Sequence, residues 1–461
     1  MSINLSFDIG QKALRANQLG LTVTGQNIAN VNNPSYSRQE VILTSVASPS
    51  KLSTSPGGGV DVISIQSTKN QFIDSRLRTE TSTTGRLSAQ QQALIPLETT
   101  FNDTGTGGIN SALNTFFSSF RNLDINPAST SLRINVVESA NALATAFNST
   151  RNRLTDIQNQ TDKLLQADVS NINSLLDKIA KLNIEIGDTE SVNANNNELI
   201  DQRSDLLNQL SEYIDINITK NEDSSLTISL SDGRALVLND KVFQLETTST
   251  PPNGLTNITL NGQAAVIKNG RIKGLLDGIG QIGTKISDLD NLANTISNRV
   301  NTLHQNGLDL DGNAGTSFFV SSDGNVISAA NLSVSSSIKG NPRLLAAAEA
   351  GKSSGDGTNA RQIANLLTDN NSQVGSRTGS FSSIYSSFVA EVGQALKSTE
   401  DVLSTQQAIL AQTNEQRNAF SGVSLDEETV NLLRYQRAFE AAARFLKVSD
   451  EITKTIIALG D

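Results

Sequence analysis

Apolar residues recur every seventh position at both ends of this chain. Near the start, Phe7, Leu14, Leu21 and Ile28 form one row, and Leu5, Ile9, Ala13, Ala16 and Val23 form a neighbouring stripe of mostly smaller side chains. Lys12, Arg15, Gln18, Thr22 and Gln26 fall largely opposite, so the spacing predicts an amphipathic helix. It should end near Asn30 to Asn33, because Pro34 disfavours helical geometry in the residue before it. Near the end of the chain, Leu425, Leu432, Phe439 and Leu446 repeat with the same period beside a second row of Ala438, Phe445, Ile452 and Leu459. Ser424 can cap this second helix with Glu427 as its reciprocal partner, and Asp426, Glu427 and Glu428 crowd the positive end of its dipole. No Pro or Gly interrupts it before Gly460. A helix of about 35 residues is about 52 Å long, and one with so broad an apolar face is marginal in water unless something covers it.

Between these ends the period changes several times. Residues 40–65 alternate loosely around Pro56-Gly57-Gly58-Gly59 and read as a hairpin. A sparse helix follows over about 70–95, with Ile73, Leu77, Leu87 and Leu94 on its apolar face and Pro96 to end or kink it. A Gly-rich break at 105–108 precedes a short helix carrying Leu113, Phe116, Phe117 and Phe120. The longest periodic stretch covers about 129–186, and more than 50 helical residues would extend about 75 Å, the shape of a rod. After a break at 193–197 comes a shorter helix with Leu199, Leu206, Leu207 and Leu210. Period two then takes over at 214–219, 226–230 and 258–260, with turns at Asp232-Gly233, Pro251-Pro252-Asn253-Gly254 and Asn261-Gly262. From Ile272 to Leu303 apolar residues step by threes and fours without a slip, as in a helix packed among helices. Residues 307–355 are rich in Ser, Gly and Asn and are assigned to the β-rich part; helices at about 359–367 and 381–420 lead back to the terminal one.

The expected fold is mainly α, a long antiparallel helical bundle or coiled coil with an inserted antiparallel β-rich domain, its domains nested and discontinuous. Residues 1–68 with 421–461 form a terminal coiled-coil domain. Residues 69–213 with 271–306 and 356–420 form a helical rod, and 214–270 with 307–355 an outer β-rich domain.

Composition narrows the function. With 461 residues there is room for two or three domains, and 4% aromatic residues point to thin helical packing rather than large compact cores. A formal charge of −10 without a basic stripe makes nucleic acid a poor partner. No run approaches a membrane span, and Asp8, Lys12 and Arg15 interrupt any leader-like stretch; on these grounds alone the chain reads as cytoplasmic. There is no cysteine and a single histidine. Gly278-Ile279-Gly280-Gln281-Ile282-Gly283 fits a dinucleotide fingerprint by spelling, but lies inside a helical seam where small residues serve close packing. Asp309-Leu310-Asp311-Gly312-Asn313 resembles the start of a calcium loop, yet its twelfth position is Val320, which cannot chelate; a solvated turn is the better reading. His304 stands alone near a helix end and is read as a helix-end or surface residue. Carboxylates are plentiful, but nothing singles out a catalytic pair. No catalytic residue, cofactor or metal site is assigned.

Two stretches carry a resemblance. Asn27-Ile28-Ala29-Asn30-Val31-Asn32-Asn33-Pro34-Ser35-Tyr36-Ser37-Arg38-Gln39 resembles the N-terminal signature of bacterial flagellar axial proteins. Ser421 to Glu428, followed by Asn431-Leu432-Leu433-Arg434-Tyr435-Gln436-Arg437-Ala438-Phe439, resembles the C-terminal signature of the hook-associated members. The run from Asn306 to Phe319 looks like a linker that recurs among them. Two positions depart from the pattern: Asn33 stands where Thr is usual and Ser35 where Gly is usual, which bears on how the turn is built. The resemblance implies a structural protein that polymerises head-to-tail into a collar between the flagellar hook and filament. It would meet the hook protein on one side and the second hook-associated protein on the other. It also implies export without a cleaved signal peptide to an extracellular place in the flagellum, and an export chaperone on the C-terminal helix. On this reading Phe7, Leu14, Leu21, Ile28, Leu432, Tyr435, Phe439, Phe445 and Leu446 are assembly residues. Asn27, Asn30, Pro34, Tyr36, Arg38 and Gln39 fix the signature turn. Another axial protein (hook, rod or second hook-associated) is the nearest alternative; a polysaccharide hydrolase or an adhesin carried on the appendage comes from other classes.

Overall fold

The chain runs outward along helices and returns along helices. In the computed structural model, α1 (Ser2–Ala29) stops at a turn ahead of Pro34. An antiparallel hairpin follows, β1 (Gln39–Ser45) with β2 (Val60–Ser67). Then come α2 (Gln71–Phe101), α3 (Ile109–Ile125), α4 (Thr130–Ser191) and α5 (Asn197–Tyr213). Seven short strands form two sheets. The first joins β3 (Asn217–Lys220), β4 (Leu226–Ser229), β5 (Ala235–Leu238) and β6 (Lys241–Val242), and the second β7 (Leu245–Thr250), β8 (Leu255–Leu260) and β9 (Gln263–Ala264). After α6 (Gly270–Asn306) come three short strands, β10 (Gly307–Leu308), β11 (Phe319–Ser321) and β12 (Leu332–Val334), then α7 (Ser336–Gly340) and a 3-10 turn at Pro342–Leu344. β13 (Ala348–Glu349), α8 (Thr358–Asn365), β14 (Ser372–Val374) and β15 (Arg377–Gly379) complete this segment, and α9 (Phe381–Ser421) and α10 (Leu425–Ala458) close the chain. The structure describes residues 2–47, 57–101, 107–191, 196–221, 224–250 and 254–458. Of the expected turns and breaks, residues 56, 105–106, 193–195 and 251–253 lie outside those described.

The 62 residues of α4 span about 93 Å at 1.5 Å per residue. Pro96 does not end α2, which runs on to Phe101. Leu97 and Phe101 beyond the proline are fully buried, and their burial outweighs the lost backbone hydrogen bond. Gly278 lies inside α6, where an added Cβ would sit 2.4 Å from the Ala93 Cβ of α2. Gly278 is thus a close helix–helix contact, while Gly280 is exposed with nothing within 4 Å of an added Cβ. In the small sheets, Asn261 and Gly262 have φ of 53° and 74°, the two left-handed positions that an Asn-Gly hairpin turn requires.

Buried apolar residues fall into two clusters, and the buried residues of 307–355 and of 214–270 are divided between them. Residues 214–267 pack with the distal half of α4, α5 and the start of α6. Phe318, Phe319, Leu332, Val334, Ile338 and Leu345 join the other cluster, with α3, the start of α4, the end of α6, α8 and α9. The cause is a ring cluster: Phe318 and Phe319 lie 5.9 and 5.5 Å from Phe116, and Phe381 stacks on Phe117 at 6.2 Å. Nine of the 15 phenylalanines are in this one core, so aromatic content is low on average but concentrated.

Candidate assembly site at the paired terminal helices

α1 and α10 pack along each other through small residues. Gly10, Ala16, Gly20 and Val23 are buried on α1, and Ala442 and Ser449 on α10. A Cβ placed on Gly20 would lie 2.6 Å from the Tyr435 ring, and one on Gly10 2.5 Å from Leu446. Of the expected seven-spaced rows, Leu446 enters this seam against Gly10 and Phe445 borders it at the same position. Phe7, Leu14, Leu21, Ile28, Leu432, Tyr435, Phe439 and Leu446 are all half-buried, and Phe445 is exposed. Beyond them α10 carries a further apolar row of Val430, Leu433, Phe445, Val448, Ile452 and Ile456, each 44–64% exposed. Spacings of three, four and twelve bring these six to one side of the helix, about 100° around from Ala442 and Ser449. Four of them escaped the strict count of seven; counting at 3.6 residues per turn would have found them.

The signature turn is held from four helices. Asn27, buried in the last turns of α1, uses both ends of its amide. Its Oδ1 accepts from Tyr36 Oη at 2.8 Å and Gln39 N–H at 3.0 Å, while its Nδ2 donates to the Gln39 carbonyl at 3.0 Å and Glu428 Oε2 at 3.1 Å. Arg38 donates its N–H to the Ser421 carbonyl at 2.9 Å and reaches Glu427 at 2.6 Å and Glu40 at 2.7 Å. Glu427 thus pairs with Arg38, where a reciprocal bond to Ser424 was expected. Ser424 still accepts the Glu427 N–H at 3.5 Å and, by its carbonyl, the Glu428 N–H at 2.9 Å. The Pro34 carbonyl accepts from Arg417 of α9 at 2.7 Å, and Asn30 bonds back to the Gln26 carbonyl at 3.0 Å.

α5 is the support that the sequence did not announce. Asp201 accepts the Ser37 N–H at 3.1 Å and pairs with Lys69 at 2.7 Å. Asp205 accepts from the Ser35 hydroxyl at 2.9 Å. Ser35 is not among the residues with positive φ, and Asn33 Oδ1 accepts its N–H at 3.2 Å. The departure from Gly at this position is therefore put to use as a side-chain bond. Burial, with the carboxylates of Asp201 and Glu428 nearby, pushes the Tyr36 phenol up to about 12, so it stays a donor to Asn27. A cavity of about 560 Å³ opens here, lined by Asn30, Ser35, Tyr36, Gln39 and the α5 carboxylates.

Two residues weighed for other chemistry prove structural. His304 is fully buried, which corrects the surface alternative: its Nδ1 lies 2.6 Å from the Thr316 carbonyl and its Nε2 accepts the Ala346 N–H at 2.9 Å. Asp309 is 3% exposed, not solvated, and its Oδ1 accepts the N–H groups of Asp311 and Asn313 at 2.8 and 2.9 Å. Among the described residues no group of three His, Cys, Asp or Glu is placed to hold a metal ion, and no helix is long and apolar enough to cross a membrane.

Residues 94–319 match the family described as flagellar hook-associated protein FlgK helical domain, and 415–459 match the flagellar basal body rod FlgEFG protein C-terminal family. The chain is 28% identical to Flagellar hook-associated protein 1 of Bacillus subtilis, the match covering 98% of this chain and 97% of that one. The protein of the same name from Escherichia coli is 23% identical, over 96% of this chain and 97% of its own length. The chain is similar over nearly its whole length to the flagellar hook-associated proteins of this name. The solved structure of the flagellar hook junction protein FlgK from Burkholderia pseudomallei shares the fold, with a TM-score of 0.68 at 16% identity over 75% of this chain and all of that one. Within this chain, the FlgK helical-domain match runs from α2 through the two sheets and α6 to the ring cluster at Phe319. The second match takes in all of α10, including Glu428 and the exposed apolar row.

Proposed function

We propose that the terminal helices of this chain join copies of it head-to-tail into a collar. The protein is a flagellar hook-associated structural protein at the junction of hook and filament. The observation that carries the finer reading is the second apolar row of α10, left half exposed after α1 has taken the small-residue seam. A helical array needs one surface to meet a different surface on the next copy, and this row, which borders the intramolecular seam at Phe445, keeps its six side chains 44–64% exposed. Phe7, Leu14, Leu21, Ile28, Leu432, Tyr435, Phe439, Phe445 and Leu446 would contribute their half-exposed sides. Asn27, Asn30, Pro34, Tyr36, Arg38 and Gln39 would fix the angle at which the helix pair leaves the rod.

On this reading hook protein borders the collar on one side and the second hook-associated protein on the other. An export chaperone covers α10 before assembly, and the chain leaves the cell without a cleaved signal peptide. It works as a building block, not as an enzyme. Electron microscopy of a strain lacking the gene tests the placement: bare hooks with flagellin released to the medium are expected, and filaments of normal number and attachment would overturn it.

A further inference from the structure

The cavity beside the signature turn is bordered by three α5 carboxylates, Glu198, Asp201 and Asp205. Asp201 is compensated by Lys69. Among the described residues no cation pairs with Glu198 or Asp205, which accept only from Gln202 at 3.5 Å and from Ser35 and Gln209 at 2.9 and 2.8 Å. Gln39 lines the same cavity; it is 6% exposed, and its Oε1 has no hydrogen-bond partner. A buried amide oxygen left unsatisfied is costly, and its persistence points to a donor supplied from outside the single chain. That donor should also be cationic. A guanidinium meets both demands, with five N–H groups, no acceptor, and a shape that bridges carboxylate and amide oxygens.

The chain carries such groups where a second copy would present them. Arg437 and Arg444 are exposed on α10 at the edge of the uncovered apolar row, and among the described residues neither makes an ion pair. They are seven residues apart, a rise of about 10.5 Å, and so are Glu198 and Asp205 on α5. The charge rows are opposite in sign and equal in repeat. We propose that Arg437 and Arg444 of one copy dock on α5 of the next, one guanidinium entering the cavity between Glu198 and Asp205 within reach of Gln39. This rests on the head-to-tail reading above and names the surface that receives α10. The apolar row supplies area, while the arginines set register.

The native chain has no cysteine, so paired substitutions report contact without background. Glu198→Cys is combined with Arg437→Cys, and separately with Arg444→Cys, in the full chain replacing the wild-type gene in its own bacterium. Isolated hook–filament structures are oxidised and run on non-reducing gels. Reductant-sensitive multimers of the chain, at least about tenfold above the single-cysteine controls, are expected for one of the two pairs. Chain present in the appendages but monomeric for both pairs overturns the docking and leaves the junction reading standing. Wild-type chain absent from the appendages overturns both. If the cysteine pairs are not incorporated although the wild type is, Glu198→Lys and Arg437→Glu are compared in swimming assays. Restored swimming in the double variant supports the docking, and two losses that simply add overturn it.

Discussion

Asn27 and Glu428, 401 positions apart in the chain, share a buried hydrogen bond of 3.1 Å. The bond joins the two signature segments, and the same Asn27 amide also closes the turn through Tyr36 and Gln39. Replacing Asn27 with Asp turns the donor facing Glu428 into an acceptor and sets two carboxylates together. We expect Asn27→Asp to loosen the α1–α10 pair by about 3 kcal/mol and Glu428→Gln, which keeps an oxygen to accept, by about 1 kcal/mol. Amide exchange of α10 in the isolated protein measures both, and equal protection in the two variants would refute the assignment.

The small-residue seam gives a paired test. Gly20→Ala forces a methyl against the Tyr435 ring, whereas nothing lies within 4 Å of a Cβ at Gly25. Gly25→Ala should stabilise α1 by up to about 1 kcal/mol through helix propensity alone, and Gly20→Ala should forfeit that gain and cost about 1–3 kcal/mol more through overpacking. Urea unfolding followed by Tyr435 fluorescence, in a variant lacking the other tyrosines, separates the two.

The long helices were legible because each repeats its apolar pattern many times over. Leu275 to Leu303 marks α6 without any knowledge of its neighbours. The hydrogen-bond network around Asn27 and the turn was legible only as a resemblance: its carboxylates come from α10 and α5, and no local pattern ties Glu428 to Asn27 or Asp201 and Asp205 to Ser37 and Ser35. That the core of residues 307–355 lies apart from that of 214–270 was hidden for a related reason. The strands of 307–355 are three residues or fewer, and Phe318 and Phe319 declare their core only through contacts with Phe116 and Phe120, some 200 positions away. The glycine contacts of the seam between α1 and α10 were hidden because Gly10 and Gly20 are silent in a hydrophobic count, whereas Ala16 and Val23 already stood in the expected stripe. What the glycines offer is proximity.

His304 makes stability depend on pH. Burial pushes its imidazole down to about 4 from an ordinary 6.5, against the opposing pull of the Thr316 carbonyl and Asp309; the Arg133 guanidinium adds to the lowering. The neutral ring is required, since Nε2 must accept from Ala346. With the folded value below the unfolded one, this group's contribution is complete above pH 6.5 and is lost as the pH falls towards 4. Between pH 7.5 and 5 the loss should be about 2 kcal/mol. The urea midpoint should fall accordingly in the wild type and stay flatter in His304→Asn; parallel profiles would exclude the role.

The exposed row of α10 separates assembly from folding. Val448 and Ile452 are 52% and 51% exposed in the single chain, so making them Lys removes little buried area and should change its stability by no more than about 0.5 kcal/mol. In a collar the same positions would be covered, and a lysine there must lose its hydration without a partner, at a cost of several kcal/mol per copy that recurs at every contact. Val448→Lys with Ile452→Lys should therefore give a monomer that unfolds like the wild type and yet leaves hooks without filaments. Ala442→Lys, on the seam with α1, should instead weaken the monomer itself. Reversal of that order, with Val448→Lys and Ile452→Lys unfolding the free chain, would mean that α10 faces its own molecule on both sides and that copies meet elsewhere.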